Sequence, residues 1–245
     1  MYAVQHEVKS LILKLELRPW IYEDRLAQGG DEHPVMAIDE LATYAKLDTV
    51  HLRLGFAQLE LSFSSSSMVV FTSLTDLSLE DTTVAGHLLS RLVSSPCCPR
   101  LRKLRLDHLH LSTTGDLLLE ASVLLELSLD KIENMQSLEL RTPSLRVLHV
   151  VHCYDLEVFT VSAPRIEDLM FWAQQPLRID DVHNHLSRVG TLRIPFYSYG
   201  DRNYASIHLL QCCRSTRCLE VSLKEVEVCR MYSCPVFFLF NYSCT

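Results

Sequence analysis

The stretch Leu101-Arg102-Lys103-Leu104-Arg105-Leu106 decides how this chain folds, together with its echo Leu124-Leu125-Glu126-Leu127-Ser128-Leu129. Both read Leu-x-x-Leu-x-Leu. Allowing Ile, Val, Phe and Met, the same spacing occurs at Leu74-Leu77-Leu79, Leu145-Leu148-Val150, Ile166-Leu169-Phe171 and Val189-Leu192-Ile194. An earlier copy stands at Leu47-Val50-Leu52, and further copies are read at Val8-Leu11-Leu13 and Cys218-Val221-Leu223. From Leu47 the leading residues are 27, 27, 23, 21, 21 and 23 positions apart. The chain has 43 leucines in 245 residues, so one hexamer would mean little. Seven in near-constant register mark an internal repeat.

The physics of the hexamer points to strands. Side chains alternate between faces along a strand, so the fourth and sixth positions point one way, into a core. The first lies at the turn into the strand and also points inward. One such strand cannot bury its apolar face alone, but parallel copies stacked side by side can. The repeat length and pattern are those of leucine-rich repeats. The expectation is an α/β solenoid, a horseshoe with a parallel sheet, spanning residues 1–225 in about eight or nine coils. Residues 226–245 read as an irregular C-terminal tail, with the look of a truncated or mis-spliced end.

The segments between hexamers predict a convex side that is partly helical and partly strand-like. Ala85–Val93 and Asp116–Val123 have apolar residues at helical spacing; Val182–Val189 and Tyr204–Cys213 are weaker helices. Met135–Leu140 and Leu156–Val161 alternate like strands and lead to Pro143 and Pro164. Gln28–Pro34 and Ser64–Ser67 read as exposed loops.

Composition removes several function classes. The net charge is −7 and no basic stripe is present, so nucleic-acid binding is not expected. Seven glycines, and none of the phosphate-loop, dinucleotide or nucleophile-elbow motifs, argue against an enzyme. No apolar run reaches the ~20 residues of a membrane span, and no signal peptide is visible. An intracellular protein, cytoplasmic or nuclear, is expected. Nine cysteines without Cys-x-x-Cys pairs read as reduced structural thiols. Asp180-Asp181-Val-His183-Asn-His185 is the best metal-like cluster, yet its spacing is poor, so no metal and no cofactor are expected. Asn241-Tyr-Ser243 matches a glycosylation acceptor by accident of composition.

Three phrases resemble the repeat region of plant F-box/leucine-rich-repeat proteins that end in an FBD domain. They are Leu101-Arg-Lys-Leu-Arg-Leu-Asp107, Thr142-Pro-Ser-Leu-Arg-Val-Leu-His-Val-Val-His-Cys153 and Ser162-Ala-Pro-Arg-Ile-Glu-Asp-Leu-Met-Phe-Trp172. The resemblance implies the substrate-binding arm of a cullin-type ubiquitin ligase subunit. No F-box and no FBD pattern are recognisable, so a Skp-type adaptor and a cullin would be partners only with an F-box supplied elsewhere. A stand-alone interaction module is the alternative.

The third and fifth positions of each hexamer, and the one after the last, should face away from the core onto a concave surface. This gives Lys103, Arg105 and Asp107 in one coil, Val147, His149 and Val151 in another, then Asp168, Met170 and Trp172, then Thr191, Arg193 and Pro195. The early coils present charge, more often a solvated face than a docking site. From Val147 onward the strip turns apolar and aromatic. The candidate partner-binding residues are Val147, His149, Asp168, Met170, Trp172, Arg193, Lys103 and Arg105. Trp172 either displays its ring for a partner or folds back onto the core.

Overall fold

The computed structural model describes residues 9–15, 35–37, 47–55, 57–60, 70–172, 178–180, 185–198 and 203–224. The readings made for Val8, Gln28–Pro34, Ser64–Ser67, Asp181, His183 and residues 226–245 lie outside these residues.

Period-two leucines build an inner ladder of parallel strands. Its strands are β1 (Ser10–Lys14), β3 (Thr49–Arg53), β5 (Asp76–Val84), β6 (Lys103–Glu120), β7 (Glu126–Arg141), β8 (Val147–Val151), β10 (Asp168–Phe171), β12 (Thr191–Tyr197) and β13 (Cys218–Lys224), side by side in that order. The register never slips. Leu11, Val50, Leu77, Leu104, Leu127, Leu148, Leu169, Leu192 and Leu219 stand level across the nine strands. Leu13, Leu52, Leu79, Leu106, Leu129, Val150, Phe171, Ile194 and Val221 form the second inward column by alternation. From Val50 to Leu192 the first column is at most 3% exposed. Each such leucine contributes roughly 1.5–3 kcal/mol by leaving water.

Between inner strands the chain runs around the back. The outer ladder consists of β2 (Val35–Ala37), β4 (Gln58–Glu60), the ends of β5, β6 and β7, then β9 (Val158–Ser162) and β11 (Arg178–Asp180). Leu117, Leu138, Phe159 and Ile179 stand level along it, so the core is filled from both sides. Phe159 from the outer ladder and Phe171 from the inner one meet there, ring centroids 5.0 Å apart. The molecule is a parallel-sheet solenoid whose outer ladder accompanies seven turns.

Helices are few among the described residues: α1 (Gly86–Val93) and α2 (Tyr204–Cys212). Gly86 is needed where it stands, because a Cβ there would come within 3.3 Å of the Asp116 carbonyl oxygen. The helix expected at Asp116–Val123 is corrected: Asp116–Glu120 is strand, level with Ser137–Arg141. The run Leu117-Leu118-Leu119 fits either period, and the neighbouring coil's strand decides it. His185–Arg188, the described part of another expected helix, is turn and bend.

Two local devices return the chain to the inner ladder. The first is a β-turn whose opening residue is buried. The carbonyls of Cys98, Thr142, Ala163, Leu186 and Cys213 accept hydrogen bonds from the N–H of Leu101, Leu145, Ile166, Val189 and Thr216. Pro99, Pro143 and Pro164 hold the second place of the turn, where their fixed φ suits it. The second device binds coil to coil. One carbonyl ahead of each strand accepts two N–H groups from the next coil, as Arg102 O does from Leu125 and Glu126, and Gly190 O from Arg217 and Cys218.

These turns correct the last repeat. The expected copy Cys218-Val221-Leu223 stands two residues out of register. Leu192 is level with Leu219 and Ile194 with Val221, so Thr216 leads the last hexamer. A polar residue in the leading place hid it. Cys218 faces solvent.

Four strands leave the inner ladder through a left-handed corner that has no glycine, whereas the chain after β3 uses Gly55. Asp81, His108, Lys131 and His152 occupy the same place in four successive coils, each with φ between 48° and 55°. L-residues pay roughly 1–2 kcal/mol for this left-handed conformation. Asp and His tolerate it better than most.

Candidate functional site

The inner ladder shows its other face to solvent, and two columns of side chains stand on it. The left column runs Thr49, Asp76, Lys103, Glu126, Val147, Asp168, Thr191 and Cys218. The right column runs His51, Ser78, Arg105, Ser128, His149, Met170, Arg193 and Glu220. Neighbours in a column are about 4.8 Å apart, the interstrand distance. Seven of the eight sequence-derived residues therefore lie on one continuous face, and Trp172 follows the end of β10. Lys103, Arg105, Val147 and His149 line a groove of about 340 Å³ across β3, β5, β6, β7 and β8. Asp168, Met170, Trp172 and Arg193 do not line it; all but Trp172 continue the face over the next two coils.

The groove owes its depth to residues that the sequence places on the open face but that are not among the eight candidates. Ser78 and Ser128 flank Arg105 in the right column, and both line the groove with Thr49 and His51. A small side chain on each side of a long one leaves a hollow. The visible signal was the alternation of small and large residues at the fifth hexamer position.

Most charges on the face are already matched. Lys103 Nζ lies 3.0 Å from Glu126, and Arg105 lies 3.0 Å from Asp107. Burial pushes the Asp107 carboxyl up, but hydrogen bonds from Arg105 and His108 outweigh it and hold its pKa below the usual value. Lys131 Nζ contacts His108 Nε2 at 2.8 Å, and an ammonium can only donate. His108 therefore accepts at Nε2 and donates from Nδ1 to Asp107, 2.7 Å away. Exposed pairs of this kind contribute about 0–1 kcal/mol each. Their main effect is to leave the early coils with little net field.

Arg193 is clamped in the same manner. Its Nη1 lies 2.8 Å from Asp168 and its Nε 2.9 Å from Glu220, one carboxylate on each neighbouring coil. Burial alone would lower its pKa; the two carboxylates overcome that and raise it. Asp168 is thereby engaged by Arg193. His149 Nε2 sits 3.9 Å from the same carboxylate, too far for a hydrogen bond, and is buried with no partner. Burial, assisted by the Arg193 charge, lowers the His149 pKa below its ordinary 6.5.

The apolar strip is narrower than the sequence suggests. Val151 and Pro195 were expected on the open face, but both are buried, Val151 at the end of β8 and Pro195 within β12. Val147 and Met170 remain half-buried on it. Trp172 is also half-buried, so neither alternative holds outright. Its ring meets His152 edge-on at 5.5 Å, and Lys224 Nζ lies 4.6 Å above it. A cation over an indole face is worth roughly 0.5–1 kcal/mol at an exposed site. Phe196 and Tyr197 are half-buried, while Tyr199 lies outside the described residues.

The thiols in the core are held protonated by burial. Burial pushes Cys98, Cys153 and Cys213 up to about 12 and raises Cys212. Cys98 and Cys213 open the turns into their strands. Among the described residues no group of three His, Cys, Asp or Glu side chains could hold a metal ion. No described helix is long and apolar enough to cross a membrane.

Comparison with known families agrees with this architecture. Residues 95–226 match the leucine-rich repeats of FBD-associated F-box protein At5g56370. No curated protein and no solved structure gives a match. The matched span takes in β6 through β13, the groove's inner half and the Met170–Trp172 strip. Since that span is more than half of its length, the chain belongs to the leucine-rich-repeat family of FBD-associated F-box proteins.

Proposed function

We propose that this chain holds a protein target, without catalysis, on the open face of its inner ladder. It would do so as the substrate-binding arm of an F-box-type ubiquitin ligase subunit. The observation that carries this reading is the join, on one rigid sheet, between a groove edged by Lys103, Arg105 and Glu126 and a half-buried apolar strip. Val147, His149 and Met170 sit at that join, within two coils of each other. Val147, Met170 and Trp172 supply apolar anchor area, and Arg193 and Asp168 fix its polar edge. Lys103 and Arg105 extend the contact along the groove.

Ubiquitin transfer would fall to other subunits; this chain would orient the target. It would act inside the cell, and a Skp-type adaptor and a cullin join only where an F-box is present. Affinity purification of the full chain tests both parts. Target proteins retained by the wild type should be lost from Met170→Asp and kept by Glu133→Ala, which lies off the face. Identical retention by both variants rejects the placement. Recovery of targets without adaptor or cullin would favour a stand-alone interaction module, the second reading, which rests on the same face.

A further inference from the structure

We infer that the entry rim of the inner ladder, where each coil turns into its strand, is a second docking surface. Its occupant is an extended protein segment in which carboxylates flank an apolar side chain. One chain of backbone hydrogen bonds runs along this rim through Arg102, Leu125, Arg146, Glu167, Gly190 and Arg217, each N–H given to the carbonyl of the residue before it. Arg100, Arg165 and Arg188 stand two residues ahead of three of these, at the third place of the turns. All six arginines are exposed, and none has an ion pair or a side-chain hydrogen bond among the described residues. The acid in the row, Glu167, is one against six. Glu126 and Asp168, next in sequence to the row, are taken by Lys103 and Arg193. Composition hides this stripe, because a chain of net charge −7 draws it from five coils.

Charge, spacing and one break in the row define the occupant. A guanidinium presents a fork of N–H donors that matches a carboxylate. The exit corners satisfy this internally, since Asp81 and Asp107 accept hydrogen bonds from Arg53 and Arg105. The rim arginines have no such acids, so their carboxylates must come from another molecule. The break falls in the coil of β7, where Val123 and Leu125 take both places. Val123 is 37% exposed. An apolar step therefore lies between Arg100 and Arg102 on one side and Arg146 on the other. A phosphate backbone would leave that step uncovered, whereas an acidic segment with one apolar residue covers it and the arginines together. Coils stand about 4.8 Å apart, so the five steps from Arg102 to Arg217 span about 24 Å, which an extended segment covers in about seven residues. The rim lies beside the open face, so the inference does not rest on the proposed target site.

The test uses the full chain and two fluorescent peptides of about eight residues, the length that spans the rim. One is all glutamate, and the other is glutamate with a central leucine. The chain should bind the leucine peptide saturably, more tightly than the all-glutamate one, and more weakly as salt rises. Arg165→Gln combined with Arg188→Gln should weaken binding about tenfold. Val123→Ser should remove the preference for leucine. All three side chains are exposed, so these variants leave the core intact. Lys131→Asn, at an exit corner, should bind like the wild type. Absence of saturable binding overturns the inference, as does unchanged affinity in the arginine variant or an equal loss in Lys131→Asn. Equally tight binding of an oligothymidylate of the same charge also overturns it, since the rim would then take a nucleic acid. The readout is a synthetic peptide and involves no target protein, so its outcome is separate from that of the proposed function.

Discussion

Leu148 and Leu219 hold equivalent places in the inward column of the inner ladder, yet Leu148 is 0% exposed and Leu219 is 37% exposed. Their hexamers follow one rule, and only the neighbours differ. β8 lies between β7 and β10, whereas β13 has β12 on one side. At the other end Leu11 and Leu13 are also only half-buried. The contrast shows that stability in this molecule belongs to pairs of coils and not to coils, as expected of a one-dimensional array. A leucine is worth its full transfer free energy only where a strand stands on each side of it.

The largest expected effect would break the contrast at the middle. Leu127→Asp buries an unpaired carboxylate in a residue now 1% exposed, and should cost several kcal/mol in a denaturant titration. The contrast is sharpest in a matched pair. Leu148→Ala should cost about 2–5 kcal/mol, and Leu219→Ala should cost less than half as much. Equal losses would mean that the end is as well packed as the centre. Thr142 offers a gain. Its hydroxyl is fully buried without a hydrogen bond, at a turn place filled elsewhere by Cys98, Ala163 and Cys213. Thr142→Val should raise stability by about 1 kcal/mol, because an orphan hydroxyl is exchanged for a methyl.

A smaller effect depends on pH. His149 has its pKa lowered in the folded state, so the unfolded chain binds the proton more readily. Stability from this group is present above about 6.5 and is lost as the pH falls through that value toward the folded pKa. His149→Gln should therefore flatten the acid side of a melting-temperature profile just below pH 6.5. Asp107, also lowered, acts only further down: its contribution holds above 3.8 and is lost as pH falls through its folded pKa. The smallest effect belongs to the face: Arg105→Ala should change stability by about 0.5 kcal/mol or less. A change as large as that at Leu127 would overturn the assignment of inward and outward columns.

How much of this was legible depended on how local each signal was. The inner register was, since Leu-x-x-Leu-x-Leu carries its own period and seven copies check one another. It failed at β13 because Thr216, a polar residue, leads that hexamer. Asp116–Glu120 was misread because an unbroken run of three leucines has no period to read. The left-handed corners at His108 and Lys131 carry no glycine to betray them. The clamp on Arg193 needs Glu220, a residue 27 positions away whose own register was misjudged. The face could thus be located from spacing, while the internal pairing that tunes it could not.

From Val50 to Leu219 the intervals between level residues vary from 21 to 27, yet the inner register holds without a slip. Among the described residues the surplus length lies on the back, in helices α1 and α2 or in longer outer strands. The rear of a described coil can therefore lengthen or change its fold without displacing a side chain on the face of the inner ladder. Front and rear are separate parts in such a scaffold: one keeps its spacing while the other takes up the slack.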